Sequence, residues 1–203
     1  MTQVAILDYG LGNIRSVQKG LEKAGAKAII TSDCEEMMAS DGVVLPGVGA
    51  FSEGMEQLGD MKGTLFEFVK KRPVLGICLG MQMLLEISEE YGIHEGLGLV
   101  PGRVRGFEKK EGFKIPHMGW NNLTLTGSDP LFEGIKDQTY VYFVHSYYAD
   151  TTPEYTIAET DYICPFSSAV RNKNAWGTQF HPEKSGDAGL KILKNFIAIA
   201  ETQ

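Results

Sequence analysis

The sequence predicts an α/β protein: one three-layer domain over residues 1–203, with a mostly parallel central sheet flanked by helices and additional antiparallel strands in the C-terminal half. Three observations carry this reading. Short, almost continuous apolar runs alternate with amphipathic stretches through the first half. After Gly96 the pattern changes to extended segments joined by turns. No repeat, low-complexity tract or Pro- or Ser-rich linker divides the chain, and 203 residues suit one domain with a full core.

In chain order, Val4–Leu7, Ala28–Ile30, Val43–Leu45 and Val74–Ile77 read as buried strands, each followed by a Gly-containing turn and a helical pattern. Apolar strands alternating with helices imply parallel pairing covered on both faces. Segments around Gly102–Phe107, Lys114–Asn121, Tyr140–Tyr148, Tyr155–Thr160 and Ser167–Phe180 read as further strands, several of them antiparallel. A last helix over Asp187–Glu201 places Leu190, Leu193, Ile197 and Ala200 at helical spacing.

Composition excludes several classes. A net charge of −7 argues against electrostatic binding to nucleic acid or an anionic membrane. No apolar run approaches the roughly 20 residues that span a bilayer. The opening MTQVAILDYG enters a strand-like segment without a basic flank or cleavage site. Cys34, Cys78 and Cys164 are an odd count without metal-like spacing, which suggests no disulfide framework and no zinc site. A reducing cytoplasm is the expected location.

The most informative stretch is Pro73-Val-Leu-Gly-Ile-Cys78-Leu-Gly-Met-Gln82. It reads as strand, Gly76-x-Cys78-x-Gly80, then helix: a nucleophile elbow with Cys in place of Ser. A sharp strand-to-helix turn crowds its flanks, and glycines on both sides relieve the clash. The cysteine then stands at the carboxyl ends of the strands, where open α/β sheets bind ligands. There the helix N-terminus favours the thiolate, and the N–H of Leu79 points to where an oxyanion would form. The alternative is a structural cysteine packed in a βα turn. Cys34 and Cys164 lack the glycine-flanked setting and read as packing or surface residues.

A catalytic thiol needs an imidazole to take its proton and return one to the leaving group. His181, in Gly177-Thr-Gln-Phe-His181-Pro-Glu183, stands at a strand end, and Pro182 biases it towards an extended backbone. Residues i and i+2 of an extended stretch share a face, so Glu183 can accept from the ring and complete a triad. His94 reads as a solvated or capping residue, and His117 and His145 as positional rather than acid–base groups.

With the Cys78 elbow and His181-Pro-Glu183 together, the chain resembles the class I, triad-type glutamine amidotransferases over nearly its whole length. The resemblance implies a γ-glutamyl thioester on Cys78, release of ammonia, and hydrolysis to glutamate. It also implies that Gln82, in the first helical turn after Cys78, helps bind glutamine. Glu90, on a similar helical face, would hold the substrate ammonium, and an ordinary solvated Glu is the competing reading. Leu45-Pro-Gly-Val48-Gly49-Ala-Phe51 resembles the family's oxyanion strand, where an N–H near Val48 turns inwards to complete the hole with Leu79. An ordinary Gly-rich turn is its alternative.

Asp8-Tyr-Gly-Leu-Gly-Asn13, Pro116-His-Met118-Gly-Trp120-Asn and Tyr142-Phe-Val-His145-Ser146-Tyr147 look like signatures of one branch of the family. Members of that branch pair as heterodimers with a (β/α)8-barrel cyclase that uses the ammonia in histidine biosynthesis. The resemblance puts Asn13, Met118 and Trp120 at the partner-facing surface and ammonia exit, although Asn13 could also cap the first helix and the other two could be core. The backbone of Ser146 and Tyr147 is expected to touch the glutamine carboxylate. No dinucleotide fingerprint or Gly-Lys-Ser/Thr loop is present, so no cofactor is expected. The rival readings are an amidotransferase subunit of another synthase, a free-standing cysteine hydrolase of the same fold, and a non-catalytic regulatory subunit.

Overall fold

A computed structural model describes residues 1–202. The first half runs β1 (Gln3–Leu7), α1 (Ile14–Ala24), β2 (Lys27–Thr31), α2 (Cys34–Ala39), β3 (Gly42–Leu45), α3 (Phe51–Leu58), α4 (Met61–Val69), β4 (Val74–Ile77) and α5 (Leu79–Met83). The second half adds β5 (Ile87–Ser88), β6 (His94–Glu95), β7 (Arg103–Gly106), β8 (His117–Asn122), β9 (Thr124–Leu125), β10 (Tyr140–His145), β11 (Tyr147–Asp150), β12 (Thr156–Asp161), β13 (Pro165–Asn172), β14 (Ala175–Thr178) and α6 (Gly186–Glu201).

The main sheet runs β2-β1-β3-β4-β14-β13-β11-β7-β5-β6, with β12 and β9 branching from β13. From β2 to β14 every pairing is parallel, and the joins to β13, β11 and β7 are antiparallel. Alternate residues of the parallel strands feed two separate cores. Val4, Ile6, Val44, Leu75 and Ile77 pack with Val17 and Leu21 of α1 and Leu193 and Phe196 of α6. Ala5, Leu7, Val43, Leu45 and Val74 pack on the other side with Met37, Phe51, Leu65 and Met83. Strands apolar on both faces therefore bury both, and each fully buried large side chain contributes about 1.5–3 kcal/mol. The expected three layers result.

Two expected segments divide. Tyr140–Tyr148 becomes β10 and β11, broken at Ser146, because β10 leaves the main sheet to pair with β8. Ser167–Phe180 becomes β13 and β14, which reverse through Lys173 in a left-handed conformation at φ 53°. β8 and β10 form an antiparallel ribbon with six paired positions, from Tyr140 opposite Asn122 to His145 opposite His117. Its alternation leaves Met118, Trp120 and Tyr140 exposed and turns His117, Phe143 and His145 inwards. No helix of the described residues is long and apolar enough to cross a membrane.

Candidate active site

Cys78 stands at the junction of β4 and α5 with φ 55° and ψ −108°, an uncommon conformation for a residue bearing a Cβ. Its flanking glycines are required. A Cβ on Gly76 would lie 2.6 Å from the backbone of Gly80, and one on Gly80 would lie 1.8 Å from the Leu45 carbonyl oxygen. The Cys78 amide donates to the Thr178 carbonyl at 2.8 Å, continuing the parallel β4–β14 register past the strand ends. That register delivers the residues following β14 to the nucleophile.

His181 follows β14 with an extended backbone, φ −98° and ψ 99°. Its amide donates to the Tyr142 carbonyl at 2.9 Å, and its carbonyl accepts from the Ser185 hydroxyl at 2.7 Å. The ring Nδ1 lies 2.8 Å from Glu183 Oε1, with both side chains buried. The expected partnership therefore forms, though by a different route. Pro182–Lys184 is a 3-10 turn rather than a continued extension. The turn, not strand alternation, brings Glu183 back under the ring.

With Nδ1 committed to Glu183, His181 Nε2 is buried and makes no hydrogen bond, which leaves it the one ring nitrogen available to the thiol. Burial pulls the imidazole pKa down, but the Cys78 sulfur and the Glu183 carboxylate raise it more, to about 9. The ring is an imidazolium at neutral pH. Cys78 itself is buried, with its sulfur 3.9 Å from the Val144 carbonyl oxygen.

A cavity of about 510 Å³ opens beside the sulfur. Val48, Gly49, Leu79, Gln82, Glu90, Ser146 and Tyr147 all line it with Cys78, so it gathers every expected oxyanion and glutamine-binding position. Leu79 is the first residue of α5, where helix N–H groups have no intrahelical acceptor. Val48 lies in the loop between β3 and α3, with Gly49 at φ 116°. That loop is held at both ends. The buried Tyr9 hydroxyl donates to the Pro46 carbonyl, and the Phe51 amide donates to Glu90 Oε2 at 2.6 Å. Glu90 thus caps α3 as well as lining the cavity.

Gln82 is buried, and its Nε2 donates to the Tyr147 carbonyl at 3.0 Å and to Gln179 Oε1 at 3.1 Å. A carboxylate only accepts, so the groups of that segment suited to one are its N–H donors. Gln179 was not singled out from the sequence. It is fully buried two residues before His181, and its Nε2 donates to the Cys78 sulfur at 3.7 Å. Its place two residues before His181 in the same extended stretch, which puts the two on one face, was the available signal.

The expected partner-facing residues lie elsewhere. Met118 and Trp120 are 62% and 56% exposed on the outer face of the β8–β10 ribbon. Asn13 is exposed and stands at the N-cap of α1, where its carbonyl accepts from the Ser16 and Val17 amides but its side chain makes no capping bond. Its loop adjoins the Val48 loop: Gly12 packs against Gly47, and Leu11 approaches Gly49. Cys34 and Cys164 are half-buried free thiols that do not line the cavity. His94 lies in β6, paired with Ser88.

A thiol in a strained elbow, an imidazole held by a carboxylate and a cavity beside the sulfur match the arrangement of a triad amidohydrolase. The sequence matches the family described as glutamine amidotransferase class-I over residues 5–200, and the chain belongs to that family. A relative named imidazole glycerol phosphate synthase subunit HisH, from Methanosarcina barkeri, is 54% identical over 97% of this chain and 98% of its own. Its namesake from Bacillus thuringiensis is 51% identical over 98% of this chain and 96% of its own. The structure of PurLQS from Thermotoga maritima superposes with a TM-score of 0.77 at 16% identity, over 97% of this chain and 98% of that one, a likeness of fold.

Proposed function

We propose that this chain is the glutaminase subunit of an imidazole glycerol phosphate synthase. It hydrolyses glutamine to glutamate and ammonia, and hands the ammonia to a (β/α)8-barrel cyclase subunit. The cyclase uses the ammonia to make imidazole glycerol phosphate and an aminoimidazole carboxamide ribotide in histidine biosynthesis, in the cytoplasm. The observation that carries the chemistry is the buried His181–Glu183 pair with its free Nε2, set beside the Cys78 elbow. The relatives that share half of its residues over nearly full length carry the choice of synthase.

In this reading the Cys78 sulfur attacks the side-chain amide carbon of glutamine. The carbonyl oxygen becomes an oxyanion that accepts from the N–H groups of Leu79 and of the Val48–Gly49 loop. Imidazolium His181 gives its Nε2 proton to the departing nitrogen, ammonia leaves, and a γ-glutamyl thioester remains. Neutral His181 then takes a proton from water as the water attacks the thioester. Glutamate departs, the sulfur is released and the imidazolium is restored. Gln82, Glu90 and the backbone of Ser146 and Tyr147 hold the amino acid. In bulk water at neutral pH the ammonia would be captured as ammonium, which is not nucleophilic, so direct transfer to the partner preserves it. Met118, Trp120 and Asn13 belong to the surface that meets the cyclase.

The test is glutamate release by the purified chain, alone and with the cyclase plus its nucleotide ligand. Weak activity alone with a large increase in the complex is expected. Cys78→Ala in the complex should abolish glutamine-dependent synthesis and leave synthesis from added ammonia intact. Strong activity unaffected by the cyclase would reassign the chain to another synthase or to a free hydrolase.

A further inference from the structure

His117 and His145 take no part in the chemistry above, yet they lie buried and opposite one another in the β8–β10 register. His117 Nδ1 is 2.9 Å from His145 Nε2, and His145 Nδ1 is 2.8 Å from the Tyr147 carbonyl oxygen. Asn121 Nδ2 is 3.3 Å from His117 Nε2. The Asn121 amide is itself oriented, because its oxygen accepts from the Asn122 amide at 2.9 Å and its nitrogen donates to the Asp161 carbonyl at 3.0 Å.

These end groups settle every proton. A carbonyl oxygen only accepts, so His145 carries its proton on Nδ1 and its Nε2 accepts. His117 must then donate from Nδ1, and its Nε2 accepts from Asn121. Both rings are neutral Nδ1–H tautomers. Burial lowers the His117 pKa to about 4 and, foremost among its causes, that of His145 to about 3, so neither ring charges near neutrality. His117 is also held flat between Tyr162, 4.0 Å away between centroids, and Phe143, 4.8 Å away.

The row ends on the carbonyl that Gln82 uses. With both protons of Gln82 Nε2 given to Tyr147 and Gln179, its Oε1 is left as the open acceptor of a side chain that lines the cavity. We propose that Asn121, His117 and His145 form a one-directional hydrogen-bond relay that fixes the Tyr147 carbonyl, so that Gln82 presents its oxygen, not its nitrogen, to bound glutamine. The three are positioning residues that touch substrate only through Gln82. The relay also ties the ribbon carrying Met118 and Trp120 to the substrate pocket. It rests on the glutaminase reading for its substrate, but not for its proton positions.

Two variants of His117 separate this from simple packing. Phenylalanine keeps the stack between Tyr162 and Phe143 but donates nothing. Asparagine fills the space poorly yet presents an N–H where Nδ1 stood. In the complex with the cyclase, His117→Phe should raise the KM for glutamine about tenfold, with kcat falling less than about threefold, the scale expected when one buried partner is lost. Synthesis from added ammonia should be unaffected, and His117→Asn should recover a KM near that of the parent. A KM order in which Phe outperforms Asn, or a KM that neither variant moves, overturns the relay. Nitrogen-15 spectra of the parent chain should place protons on Nδ1 of both rings, and protons on Nε2 would overturn it without reference to glutamine. A parent complex that releases no glutamate would instead defeat the glutaminase reading and leave the spectra to decide the relay.

Discussion

Glu183 meets His181 through a 2.8 Å bond between two buried side chains, so its charge acts on the ring with less screening than it would in water. Glu183→Gln keeps an acceptor for Nδ1 but removes the negative charge that stabilises the imidazolium. Glutaminase kcat should fall by about four orders of magnitude, the scale seen when a hydrolase triad loses its acid. Because the His181 pKa is raised to about 9, the proton it delivers to leaving ammonia is present below that pH and lost above it. A profile of kcat/KM against pH should therefore lose activity with an alkaline limb near pH 9, and in Glu183→Gln that limb should move towards neutrality. Stability follows the same sign. The interaction contributes fully below the unfolded value of about 6.5 and is lost as pH rises through about 9. Cys78 and His181 were legible in the sequence because their neighbours announce them locally, with glycines on each side of one and a proline after the other. Gln179 was not, because its role depends on a bond to Gln82, 97 residues away.

At the scale of elements, the elbow depends on two backbones in contact. A Cβ on Gly80 would sit 1.8 Å from the Leu45 oxygen, so β3 and α5 must separate to admit it. Gly80→Ala should cost at least about 3 kcal/mol, beyond ordinary overpacking because no side chain can swing aside. Thermal unfolding should register this as a fall of roughly 6–12 °C for a domain of this size. The parallel strands were legible because each is apolar on both faces and followed by a turn and helix. The two strands of the β8–β10 ribbon were legible as well, but not their pairing apart from the main sheet. The ribbon's inner face carries His117 and Asn121, polar groups that satisfy one another rather than water, and alternation alone does not separate them from a solvent face. Reading Tyr140–Tyr148 as one strand followed from the same limit. Hydropathy carries no mark at Ser146, where the chain changes partner from β8 to β7.

For the molecule as a whole, the exposed Trp120 beside Tyr142 is the anchor most suited to an interface centre. Trp120→Ala should leave the isolated chain within about 0.5 kcal/mol of its parent. It should weaken binding to the cyclase by about 2 kcal/mol or more, close to 30-fold in Kd by titration calorimetry. The general three-layer plan was legible over the whole chain, while the surface that meets a partner rests on resemblance, because no residue pattern names what covers it. The order of the sheet carries one more consequence. β14 pairs with β4 at the centre of the sheet, although it comes late in the chain. During synthesis the thiol of Cys78 emerges long before the strand that carries its base, and the gap beside β4 stays open until β14 fills it. On the proposed chemistry, a nascent chain that has emerged only through α5 would hold the nucleophile without its base and should release no glutamate. Catalytic competence arrives together with closure of the sheet, which makes activity itself a report of completed folding.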